Sequence, residues 1–395
     1  MAAEHLDEGV IIAGAGPVGL TAGLALARAG VRVTVFEKRD SPNRVSRAST
    51  FHPPTIGILD ALGASDDLLE RGTRVPEIRF IDLEGGDIAR LDLSLLSDDT
   101  RFPFRVHYEQ AALSDRLLAA LGRLPNAAVH YAGEVTAVWQ DAHGVSVDVA
   151  TPAGLRRSRA SVLLACDGGR SLLRESLGIG FEGEDYRTRV LRVMTREDLR
   201  QRDSRIAPIC YLFDGDASMS LLQMPDCWRI ILRVGADEPD ESVSTPEAIR
   251  ARIARFLPAT ADRPLDWFYF DIYGSSKRVA STYAKGLTAL AGDAAHLTNT
   301  RGGMNMNCGI HDAWLLAQRL LGTDPPRAAL ARYAAERRAV AVEQLIPRTD
   351  RNVTAGRGRV AEMAAVAADP DRARAWMRTS SMLDMSPRID HATAG

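Results

Sequence analysis

The chain has 395 residues, 46% hydrophobic and 25% charged, with a formal net charge of −2. Such a length buries a large core and suggests about two domains. The near-neutral balance excludes an electrostatic case for nucleic acid or an acidic membrane surface. Four scattered cysteines (Cys166, Cys210, Cys227, Cys308) form no CxxC pair, so reduced thiols in a cytoplasmic protein are expected, without disulfides or a metal site. The acidic stretch Met1 to Glu8 has no basic or apolar leader, and no apolar run of about 18 residues occurs, so neither a signal segment nor a membrane span is expected.

The first element is the apolar run from Val10, followed at once by Gly14, Gly16 and Gly19 and by an alanine- and leucine-rich helix. Gly14 permits a tight turn, Gly16 leaves room for a pyrophosphate against backbone N–H groups, and Gly19 lets helix and strand pack closely. A second strand, Val31 to Phe36, ends in Glu37, whose carboxylate suits a ribose hydroxyl. Strand, turn, helix, strand and terminal acid in this order point to dinucleotide binding.

A polar loop through Arg39, Arg44 and Arg47 leads to a helix over 55–62, then to a hairpin over 75–93 around Gly85-Gly86. An extended piece, Phe102 to Gln110, precedes a helix over 111–121. Strand patterns at 127–131, 134–140 and 145–150 suggest a small antiparallel sheet covering the core. A buried strand, Ser161 to Cys166, runs into Asp167-Gly168-Gly169-Arg170-Ser171 and a new helix. From Phe181 to Ile272, short strands separated by Asp-Gly and Pro-Asp turns predict a mostly antiparallel sheet, interrupted by a helix over 246–256. The chain then returns to a buried strand, Leu287 to Ala291, the motif Gly292-Asp293-Ala294-Ala295-His296, a loop over 298–309, a helix over 310–321 and further helices.

These motifs together resemble the class A flavoprotein monooxygenases, the para-hydroxybenzoate hydroxylase-like family. The resemblance rests on Gly14-Ala-Gly-Pro-Val-Gly19 with Glu37, on Cys166-Asp167-Gly168 with Ser171 and Arg174, and on Gly292-Asp293-Ala294-Ala295-His296, all in the family's order. It implies an α/β fold: a Rossmann-like FAD-binding domain, an inserted mostly antiparallel β-sheet substrate domain, and C-terminal helices. The expected FAD-binding pieces are 1–72, 101–180 and 273–350, the substrate layer 73–100 and 181–272, and the helical tail 351–395.

The resemblance also implies FAD as cofactor and NAD(P)H and O2 as co-substrates of a monomer or homodimer. A flavin C4a-hydroperoxide would hydroxylate an electron-rich aromatic substrate. A Baeyer-Villiger or epoxidising monooxygenase, or a non-catalytic FAD-binding protein, would share the cofactor motifs. By the same resemblance Asp293 meets the ribityl hydroxyls, Arg47 and Gln110 reach the phosphates and ribityl region, and Asp167 packs beside the pyrophosphate. Gly303 and the backbone donors of Met306 and Asn307 meet the flavin. Asn299-Thr300 stands where the family has a proline pair, and His296 has a structural role.

For catalysis the candidates are Arg229, Tyr211 and Thr300, with Tyr273 as a second possible proton relay. Aligning Leu222 to Ile231 with the family pattern puts Arg229 at an arginine that helps move the flavin, and Met224 where a carboxylate-clamping arginine would stand. The expected pocket is therefore lined by Tyr211, Phe213, Leu222 and Met224, and takes a less acidic or larger aromatic than a hydroxybenzoate. Should an acid bind, Arg47, Arg192 and Arg301 are the available cations.

Overall fold

A computed structural model describes residues 6–45, 48–353, 357–387 and 389. Arg47 lies outside them. Strands Val10–Ala13, Val33–Phe36, Ala127–His130, Val162–Ala165 and Thr288–Leu290 form one parallel sheet, with Ala284–Lys285 antiparallel at its edge. Val10–Ala13 and Val162–Ala165 are buried at every position, as strands covered on both faces must be. Helix Pro17–Arg28 packs between Asn305–Leu321 and Gln110–Leu121, and its leucines join the largest core cluster.

The pattern at 127–131 is therefore not part of an antiparallel cover: Ala127–His130 extends the parallel sheet beside Val33–Phe36. The cover consists of Glu134–Gln140, Val145–Thr151 and a third strand, Gly154–Ala160, which sequence reading missed. Its run Leu-Arg-Arg-Ser-Arg is largely exposed and carries no alternation of apolar residues.

A seven-stranded sheet holds Tyr269–Tyr273, Arg189–Thr195, Trp228–Val234, Ala217–Gln223, Ile209–Asp214, Glu77–Asp82 and Gly86–Asp92, in that order. Only the pairing of Ile209–Asp214 with Glu77–Asp82 is parallel. The pleat sends Cys210 and Leu212 to one face, where helix Pro246–Phe256 covers them, and Ile209, Tyr211 and Phe213 to the other. There Met363, Val366, Ala373 and Met377 of helices Arg357–Ala367 and Pro370–Ser380 pack on the 77–92 hairpin.

Two ladders straddle the expected domain borders: Thr73–Val75 pairs with Arg105–His107, and Phe181–Asp185 with Ser276–Ala280. Helix Asn305–Leu321 starts five residues earlier than the expected 310. Gly309 lies inside it without breaking it, because the residue serves contact: a Cβ there would lie 2.8 Å from Val18 Cγ2 and 3.0 Å from Gly292 Cα. No helix among the described residues is long and apolar enough to cross a membrane.

Candidate active site

The glycine turn divides into closed and open positions. A Cβ on Gly14, at φ +104°, would meet the Cys166 carbonyl oxygen at 2.3 Å, and one on Gly19 the Gly14 oxygen at 2.1 Å. At Gly16 a Cβ would meet nothing within 4 Å, so the turn opens there and nowhere else along the motif. The helix behind it has no side-chain cap, which leaves first-turn N–H groups facing that opening. Glu37 is buried; its Oε2 accepts from the Ala15 N–H at 2.9 Å and its Oε1 from the Arg39 N–H at 3.1 Å. The acid thus fixes the turn, and a carboxylate with further lone pairs still has room for a hydroxyl.

Asp167 follows the adjacent strand. Its Oδ2 accepts from Leu173 N–H at 3.3 Å, whereas Oδ1 is buried with no partner. Burial raises its pKa above the ordinary carboxylate value. Ser171 caps the next helix through the Arg174 N–H, and buried Arg174 donates to the Ala294 and Gly169 carbonyls at 3.2 and 3.1 Å. One guanidinium therefore ties the second motif to the third. The open Gly16 face, the uncapped helix and the orphaned Asp167 oxygen fit a bound dinucleotide.

Behind Asp293 runs a chain of buried charges. Arg337 Nε donates to Asp312 Oδ1 at 2.5 Å, Asp312 Oδ2 meets His296 Nε2 at 2.8 Å, and His296 Nδ1 meets Asn305 Oδ1 at 3.0 Å. Asn305 Nδ2 then donates to Asp293 Oδ1 at 2.8 Å. Since Asp293 accepts, the Asn305 amide turns its oxygen to His296. Asp312 also accepts, so both ring nitrogens of His296 must carry protons: it is an imidazolium. Burial alone pushes its pKa down, but Cys308 and Asp312 outweigh that and hold it well above the ordinary value. His296, Cys308 and Asp312 bring ligand atoms within 4.8 Å of one another. Arg337 also donates to Cys308 Sγ at 3.0 Å, so a guanidinium already occupies that cluster.

The loop before helix Asn305–Leu321 turns at Gly302 and Gly303, both at positive φ, and a Cβ on Gly303 would meet Thr50 Cβ at 2.8 Å. Asn307 staples it, donating to the Thr50 and Gly303 carbonyls and accepting from His52 N–H. Met306 and Asn307 lie in the helix's first turn, ahead of the first intrahelical bond from Cys308 N–H to Met304, with no side-chain cap. Their N–H groups have no intrahelical acceptor.

This loop forms one end of a cavity of about 340 Å³. Tyr211 and Phe213 line it, as expected, with Phe80 stacked on Tyr211 at 5.1 Å and Trp376 edge-on to Phe80 at 5.8 Å. Leu222 packs beside this aromatic cluster. Met224 does not: it is buried with Met194 and Cys227, and the one thioether among the residues lining the cavity is that of Met304, from the loop before helix Asn305–Leu321. Of the three cations considered, Arg301 lines the cavity, whereas Arg192 is paired with Asp271 through Nε and Nη2 at 2.9 and 2.8 Å. Arg229 is buried at 3% exposure and ion-paired with Glu109, not solvated. Thr300 is exposed, and burial raises the pKa of the Tyr273 hydroxyl. Gln110 opens helix Gln110–Leu121, its N–H donating to the Ala48 carbonyl at 3.2 Å. Sequence reading missed Arg105 and Trp376, which reach the cavity from the strand at 105–107 and the last helix.

The FAD binding domain family matches residues 7–348. The chain belongs to the class A FAD-dependent aromatic hydroxylases. It is 32% identical over 356 residues to the para-nitrophenol 4-monooxygenase of Pseudomonas sp. (strain WBC-3), covering 89% of this chain and 87% of that one. The pentachlorophenol 4-monooxygenase of Sphingobium chlorophenolicum is 30% identical across 80% of this chain, which spans only 59% of its length. Among solved structures, p-nitrophenol 4-monooxygenase PnpA from Pseudomonas putida DLL-E4 superposes with a TM-score of 0.86 at 28% identity, over 96% of this chain and 99% of its own. The hydroxylase is thus a flavoprotein monooxygenase that uses FAD and NAD(P)H.

Proposed function

We propose that this hydroxylase oxygenates a phenol held in the cavity beside the loop at 298–304, with FAD lying between that loop and the Gly14–Gly19 turn. The observation that carries this reading is the placement of one aromatic-walled cavity against the same loop whose helix presents the unpaired N–H groups of Met306 and Asn307. The open turn at Gly16 and the helix behind it would hold the pyrophosphate, Glu37 a ribose hydroxyl, Asp293 the ribityl hydroxyls, and Met306 and Asn307 the pyrimidine edge. When bound, FAD supplies hydride acceptance and oxygen activation.

The remaining chemistry belongs to side chains. Phe80, Tyr211, Phe213 and Trp376 exclude water and orient the ring. Tyr211 on the cavity wall is the candidate to move the phenol proton, and the hydroxyls of Thr300, in the loop, and of Tyr273 are the second candidates. Arg229 acts on flavin position through its pairing with Glu109. The division into FAD-binding pieces 1–72, 101–180 and 273–350 around the 73–100 and 181–272 layer is supported by the seven-stranded sheet, whose strands all come from 77–92 and 189–273.

Purified protein should be yellow, and phenols should accelerate its NAD(P)H oxidation with one oxygen added to the ring, read by mass. Acceleration that yields only peroxide for every phenol tried would defeat the reading. Asp293→Ala should weaken FAD binding by roughly ten- to a hundredfold, as loss of a charge-assisted hydrogen bond does; unchanged affinity would remove Asp293 from the site.

A further inference from the structure

Two guanidiniums at the cavity pair with no carboxylate among the described residues. Arg105 is 2% exposed; its Nη2 donates to the carbonyl and hydroxyl of Ser380 at 2.9 and 3.3 Å. Its Nε is buried without an acceptor, and no ion pair joins it to a carboxylate among the described residues. Half-buried Arg301 donates to the Asn352 carbonyl at 2.7 Å and to Ser218 Oγ at 3.2 Å, again with no carboxylate among the described residues. Two of the other three cavity arginines differ: Arg348 is paired with Asp384 at 2.7 Å and Arg359 with Glu362, itself on the cavity wall, at 2.9 Å.

A buried charge without a partner is costly, and proteins ordinarily pair it. Burial pulls Arg105 down to about 10 and Arg301 to about 9, so both stay cationic near neutral pH. Both guanidiniums line the cavity together with Tyr211. The cavity therefore combines an aromatic wall, made by Phe80, Tyr211 and Trp376, with two cations lacking anions.

We propose that the substrate completes this charge balance: it is an aromatic anion whose ring lies on the aromatic wall and whose oxyanion, a carboxylate substituent or an ionised phenol, is held by Arg105 and Arg301. This rests on the cavity being the hydroxylase's substrate site. It replaces the expectation of a less acidic substrate, which followed from a methionine that does not face the cavity.

The test titrates FAD-loaded protein, following the flavin absorbance change, with para-hydroxyphenylacetate and its amide, and with para-nitrophenol and para-cresol. For a carboxylate anion, the acid should bind at least about tenfold tighter than the amide. For a phenolate anion, acid and amide should bind alike while para-nitrophenol exceeds para-cresol by that factor. In either case the preference should fall below about threefold in Arg105→Met and Arg301→Met and survive in part in Arg105→Lys, which keeps a cation and guards against misfolding. Equal binding within both pairs, or a preference that persists in both Met variants, overturns the proposal. NAD(P)H oxidation and product mass are read separately. Neutral phenols hydroxylated without any anion preference would leave the hydroxylase reading standing and this one fallen. Acids that bind through both arginines yet are never oxygenated would do the reverse.

Discussion

Two sets of largely buried charges meet at the loop at 298–304, and they are built on opposite plans. Behind it, Arg337 and His296 alternate with Asp312 and Asp293, two cations with two anions, every link a hydrogen bond within the protein. At the cavity, Arg105 and Arg301, the latter in the loop itself, have only neutral partners among the described residues. A closed chain of charges fixes geometry. An open one leaves a site for something that arrives from outside, and on the proposed function the first set holds the cofactor acid and the second receives the substrate.

The largest effect should come from breaking the closed chain. Asp312→Ala leaves Arg337 and His296 buried beside each other without the carboxylate that separates them. Removing one partner of a buried pair costs about 3–5 kcal/mol, and urea or thermal unfolding should show a loss of that order. A variant as stable as the parent would mean that the chain fixes nothing.

A smaller effect sharpens the same comparison through pH. His296 is held protonated in the folded state, so its contribution is fully present below the unfolded pKa of about 6.5 and is lost as pH rises through its raised folded value. The slope is about 1.4 kcal/mol per pH unit while only the folded form keeps the proton. His107 and His311 have the opposite sign: burial lowers them to about 4 and about 3, so their contribution is present above about 6.5 and is lost as pH falls. His296→Gln should therefore flatten the alkaline limb of a stability profile and leave the acid limb alone. An unchanged alkaline limb would show that His296 is not an imidazolium.

Much of the proposed cofactor side is legible in the chain because its signals are local. Gly14, Gly16, Gly19 and Glu37 belong to one strand–helix–strand unit, and Asp167 and Asp293 sit directly after buried strands. The substrate side was legible only in part. Tyr211 and Phe213 follow from strand alternation, but the cavity joins Phe80, Arg105, Arg301 and Trp376, which stand on four separate segments. No spacing rule brings them together. Met224 misled because the strand ends at Gln223, so the alternation that carries Leu222 to the aromatic cluster does not extend to it. The helix start at Asn305 was hidden by Gly309, a residue that reads as a break and is a contact.

The smallest expected effect concerns Arg229, which stands between the two plans: buried like Arg105, yet paired with Glu109. Glu109 keeps 31% side-chain exposure, so it can hydrate once the arginine is gone, and stability should change little. If Arg229 belongs with the cofactor machinery, Arg229→Ala should slow flavin reduction by NAD(P)H about tenfold, close to 1.4 kcal/mol of barrier. Substrate dissociation constants should then stay within about twofold, because an interaction absent from the bound ground state does not enter them. Rapid-mixing absorbance measures the first and flavin titration the second. A larger loss in substrate binding than in reduction would place Arg229 with Arg105 and Arg301 as a third cation for the substrate, and the paired state seen with Glu109 would then be the resting arrangement that an anionic ligand displaces.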